Sequence, residues 1–70
     1  MPLYSIMIDE AKCPAFESSL LEMYPNQPLV SHKLIYARIY EVELTTQEYT
    51  AITIKHKLPP HRTKIIRRYL

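Results

Sequence analysis

No glycine occurs anywhere in this chain of 70 residues. Every turn must be built without the one residue that enters left-handed backbone space at no steric cost. Helices likewise lose their favoured C-terminal residue. Punctuation falls to Pro25-Asn26-Gln27-Pro28 and to Pro59-Pro60, where proline presets φ and asparagine tolerates turn geometry. The same absence removes every glycine-rich phosphate cradle, so neither a Walker loop nor a dinucleotide fingerprint can form. Nucleotide chemistry by those routes is excluded.

An apolar content of 47% argues for a folded chain rather than a disordered one. Residues 1–70 make one domain near the lower size limit for a self-supporting core. Cys13 is the only cysteine, so no disulfide can staple the domain. Cys13, His32, His56 and His61 lack the close spacing of zinc sites, and no cofactor or metal is expected. The missing stability is then expected from assembly, as a homodimer or a hetero-complex. No apolar run approaches the roughly 18 residues of a membrane span, and the N-terminus lacks a secretory pattern. With one unpaired thiol, the expected location is the cytoplasm.

Leu3 to Ile8 alternates as a strand, and Phe16, Leu20 and Met23 recur at helical spacing after Pro14. That helix, 14–24, should stop at Pro25. Residues 34–44 read as a second strand, rich in β-branched and aromatic types. Residues 50–57 alternate as a third strand, with 45–49 as the hairpin turn, although Thr45 and Glu48 also fit a capping box opening a helix. Beyond Pro59-Pro60, residues 60–70 read as a helix with Ile65, Ile66, Tyr69 and Leu70 on one arc. The expected class is α+β: a small, mainly antiparallel sheet in β-α-β-β-α order with two helices on one face.

Charge is divided along the chain. Residues 55–70 hold six of the nine Lys/Arg and no acid, so this end is formally +6 and the remainder −4. Such a one-signed patch suits a polyanion or an acidic partner. Lys55, Lys57, Arg62, Lys64, Arg67 and Arg68 are the candidate contacts, laid along a phosphate backbone. If the helices cover Ile35, Ala37 and Ile39, then Tyr36, Arg38 and Tyr40 lie on an open sheet face. Aromatics interleaved with arginine suit base stacking or a protein interface. The RNA-recognition motif uses such a face, but neither of its aromatic/glycine signatures occurs here.

Pro2-Leu3-Tyr4-Ser5-Ile6 after Met1 resembles the opening of the tautomerase family, whose N-terminal proline is a general base. That resemblance would make Pro2 the base and Arg38 the anion binder. Asp9-Glu10 stands where the family carries an arginine, and its glycine-containing hairpin has no counterpart. The preferred expectation is a non-catalytic binding protein that contacts nucleic acid, or a nucleic-acid-handling protein, as a regulator. The alternative is a phage- or mobile-element-type inhibitor or adaptor docking on an enzyme or nucleoprotein complex.

Overall fold

A computed structural model describes residues 2–67. Strand β1 (Leu3–Asp9) leads through a 3-10 turn (Glu10–Lys12) into helix α1 (Cys13–Met23). Strands β2 (Val30–Lys33) and β3 (Ala37–Glu43) form a hairpin, followed by helix α2 (Thr46–Lys55). A second 3-10 turn (Pro60–Arg62) opens strand β4 (Thr63–Arg67). The sheet order is β2-β3-β1-β4, and every neighbouring pair is antiparallel. The class is α+β, with two interleaved split β-α-β units, the connectivity called ferredoxin-like.

Strand alternation decides which face is covered. Tyr4, Ile6 and Ile8 of β1 join Tyr40 and Val42 of β3, and Leu44 just beyond it, in the core. Cys13, Phe16 and Leu20 of α1 and Ile52 of α2 cap this layer. Phe16 meets the Tyr40 ring at 5.0 Å, and Tyr4 stacks on Tyr49 at 4.0 Å. Both helices therefore occupy one face. The other face of the sheet is left uncovered by the described residues.

Two expected elements are replaced. Residues 50–57 are not a strand: α2 occupies this region because Thr45 and Glu48 form the capping box. Glu48 N–H donates to Thr45 Oγ1 at 3.1 Å, and Thr45 N–H donates to Glu48 Oε1 at 2.9 Å. Tyr49, Ile52 and His56 then fall on one helical face toward the core. The helix expected over 60–70 is replaced in its described part, 60–67, since Pro59-Pro60 lead only to a short turn and then to β4. Thr63 and Ile65 alternate as strand residues opposite Ile6 and Tyr4. The register of β4 on β1 shifts between Leu3 and Tyr4, so β4 carries a bulge. Arg68, Tyr69 and Leu70 lie outside the described residues.

Strand β2 has no counterpart in the sequence reading, and the strand expected at 34–44 narrows to 37–43. Residues 34–36 form the hairpin tip instead, closed by Leu34 N–H donating to the Ala37 carbonyl at 2.8 Å.

The end of α2 shows what a glycine-free chain must do. Lys57 N–H donates to the Ile54 carbonyl at 3.2 Å, and Leu58 N–H to the Thr53 carbonyl at 2.9 Å. These two bonds make a Schellman cap. Its left-handed position is Lys57, at φ 53°. A non-glycine residue there costs about 1–2 kcal/mol, and glycine gives back about 0.5–1 kcal/mol through backbone entropy. Lys57→Gly is therefore expected to raise stability by about 0.5–1 kcal/mol, measured as the shift of a urea midpoint. A lower midpoint would mean that lysine's own contacts outweigh the strain.

Candidate functional site

The topology converts a charge division along the chain into one across the molecule. β1 ends where α1 begins, α2 returns to that same end, and β4 starts there. Lys12, Lys33, Arg38, Lys55, Lys57 and Arg62 lie toward this end, and Lys64 stands at mid-sheet opposite Ser5. Glu22, Glu43 and Glu48 lie at the opposite end, with Glu41 two residue pairs inward from Glu43, in the same row as Lys64. Asp9, Glu10 and Glu17 are the described acids toward the basic end, Glu17 sharing a cleft with Lys33 and Arg38. The molecule has a basic pole and an acidic pole.

A cleft opens at the basic pole, lined among others by Asp9, Lys12, His56, Lys57, Pro59 and Arg62. Arg62 Nη1 donates to Asp9 Oδ1 at 2.6 Å. That hydrogen bond, reinforced by the guanidinium charge, holds the Asp9 carboxyl below its ordinary range. Arg62 is thus anchored but half-neutralised, while Lys57 and Lys12, the latter also acting on the Asp9 charge, add positive charge to the cleft. Lys55 is exposed at the end of α2, on the rim. Lys57 and Arg62 of the expected cluster meet in this cleft. Lys64 instead lies on the uncovered sheet face, in a groove with Ser5, Met7 and Ile39. Arg67 closes β4 opposite Leu3, and Arg68 is outside the described residues.

Lys12 and His56 were missed by the sequence reading. Lys12 sits far from the basic segment in the chain, and only the β1–α1 turn brings it across. His56 Nε2 is 2.9 Å from Ser19 Oγ, and Ser19 Oγ donates to the Ala15 carbonyl at 3.3 Å. Burial first, then the charges of Lys55 and Lys12, lowers the His56 pKa below its ordinary value. A serine–histidine pair is a nucleophile–base arrangement in hydrolases. Here Ser19 is buried between α1 and α2, and the pair is an interhelical tie.

The tyrosine platform is overturned. Tyr40 is 0% exposed, beneath α1, and its hydroxyl donates to Glu17 Oε2 at 2.5 Å. Tyr36, at 82% exposure, projects from the hairpin tip beside Ile35, at 81%. Arg38 donates to Ser31 Oγ at 2.9 Å across the hairpin. The strand parity was assigned to the wrong face, because the helices cover Tyr40 and Val42 rather than Ile39. The uncovered face carries Leu3, Met7 and Ile39 with Glu41 and Glu43, a composition without stacking rings.

Pro2 and Arg38 are not brought together. Pro2 precedes β1 at the acidic pole, where its carbonyl accepts from Leu44 N–H at 3.2 Å. Arg38 pairs with Ile8, near the other end of β1, about 20 Å away at strand rise. No helix of the described residues is long and apolar enough to cross a membrane. Among the described residues, no three His, Cys, Asp or Glu side chains come together as a metal site. No known family, curated protein or solved structure matches this chain.

Proposed function

We propose that the basic pole is a docking site for a polyanion, a nucleic-acid backbone, and that this chain is a non-catalytic binding module. The observation that carries this reading is the cleft where Lys12, Lys57 and Arg62 converge beside His56. Two chain segments, 7–12 and 56–62, contribute to it, so the meeting of Lys12 with Lys57 and Arg62 is a product of the fold. The acids at the opposite pole favour approach by this end. Phosphate contacts of this kind give affinity with little sequence preference.

Fluorescence anisotropy over a salt series, with duplex and single-stranded oligonucleotides, tests it. Log affinity should fall against log salt with a slope of about −0.9 per duplex phosphate contact, or about −0.7 on single strands. Lys12→Gln and Lys57→Asn should each flatten the slope by about one contact. Asparagine is chosen at 57 because it accepts the left-handed backbone there. Absence of binding to DNA and RNA at low salt would sink the proposal.

A protein inhibitor or adaptor is the second reading, and the exposed tip Leu34-Ile35-Tyr36 favours it. A pull-down that retains a protein partner after nuclease treatment supports it. Tyr36→Ala should then weaken that complex by about 1–3 kcal/mol without altering the fold.

A further inference from the structure

We propose that the uncovered sheet face packs against the same face of a second copy of this chain, about a two-fold axis parallel to the strands. The inference goes beyond the basic-pole reading and does not depend on it.

The register lays out the face in rows. Val30 pairs with Glu41, Glu41 with Ser5, and Ser5 with Lys64, so these four residues cross the sheet in line. The neighbouring row runs His32, Ile39, Met7. Leu3, Met7 and Ile39 are only partly buried, and Val30 is 46% exposed. Four apolar side chains, interleaved with charged and polar ones, thus lie on a sheet face that no described element covers, in a domain near the lower size limit for a stable core.

Charge on this face selects the occupant and the axis. Its acids, Glu41 and Glu43, stand on β3, with His32 Nε2 of β2 at 3.6 Å from Glu41 Oε2. Lys64 stands on β4, with Ser5 of β1 between. Face-to-face sheets pack about 10 Å apart with nearly aligned strands. A two-fold along the strands exchanges the positions of β1 and β3, and of β4 and β2. Lys64 then stands over the partner's Val30, beside the partner's Glu41, and the symmetric contact repeats. A two-fold across the strands would set β3 on β3 and β4 on β4, so Lys64 would face the partner's β4 and the acids the partner's β3. The face complements itself in one orientation and not in the other.

Sedimentation and light scattering from about 1 µM to about 1 mM should show twice the monomer mass at the upper end. Glu41→Lys and Lys64→Glu should each weaken the dimer by about tenfold or more, and the doubly exchanged variant should recover most of it. Ile39→Lys should abolish it. Lys64 is exposed, so the exchange pair remains informative even if Ile39→Lys fails to fold. A monomer throughout the range would overturn the proposal. So would a dimer insensitive to these changes, or one that the double exchange does not restore.

Discussion

Tyr40→Ala is expected to destabilise the protein by about 3–5 kcal/mol, the usual cost of deleting a buried ring. Small single cores without staples rarely exceed about 3–5 kcal/mol in total, so this variant should be largely unfolded at room temperature. The ring lies between Phe16 and the sheet, and its hydroxyl is the donor to Glu17. Burial first, then that bond, pushes the Tyr40 pKa far above the tyrosine range. Its phenol should therefore stay protonated until the chain unfolds in alkali. Tyr40→Phe separates the two roles: it keeps the ring, strands Glu17, and should cost about 1–2 kcal/mol. Urea unfolding followed by far-UV circular dichroism measures both. A folded Tyr40→Ala protein with less than about 1 kcal/mol of loss would contradict the core assignment.

Phe16→Ala should be nearly as damaging, at about 3–5 kcal/mol, because this ring joins the two helices and the sheet. It meets Tyr40 at 5.0 Å and the edge of His56 at 5.4 Å. The milder Phe16→Leu carries the more specific expectation. Folded His56 binds its proton less readily than unfolded His56, because burial and two lysines disfavour the charge. The stability its neutral ring contributes is present above about pH 6.5 and is lost as pH falls through the lowered folded value. Asp9 and Glu48, both with lowered pKa values, add a separate loss as pH falls below about 4. Opening the packing around His56 should raise its pKa toward the ordinary value and flatten stability between about pH 7 and 5. NMR titration of the ring protons reads this directly. An unchanged midpoint would show that packing by Phe16 is not what dehydrates the ring.

The first third of the fold was readable because its local signals agree. β1 alternates, Pro14 opens α1, and Pro25 forbids its continuation; the expected 14–24 lies within one residue of Cys13–Met23. The middle strand was visible but its buried side was not. Both faces carry aliphatic residues, so parity alone is ambiguous. The deciding signal was Glu41 and Glu43, which mark the uncovered face and send Tyr40 and Val42 inward. At 45–57 two local patterns competed, and the reciprocal cap outweighed the alternation of Thr and Ile. The C-terminal segment was misread because its β-branched run became a strand only through long-range pairing with β1. In the site, Lys57 and Arg62 were legible as a charge run. Lys12 was not, since no sequence-local feature tells of a neighbour supplied by topology.

The position of β1 carries a consequence for how the protein comes into being. It lies between β3 and β4, yet of these four strands it is the first synthesised. Its pairing of Leu3 with Arg67 closes a loop spanning nearly the whole described chain. Until that closure, one edge of β1 offers unpaired backbone groups beside a run of buried-type side chains, an invitation to intermolecular pairing. Non-local closure of this kind is slow relative to helix formation. A nascent chain halted before residue 63 can make both helices and three strands and still expose that edge. Nascent chains stalled short of β4 should thus be the species that chaperones engage and proteases remove.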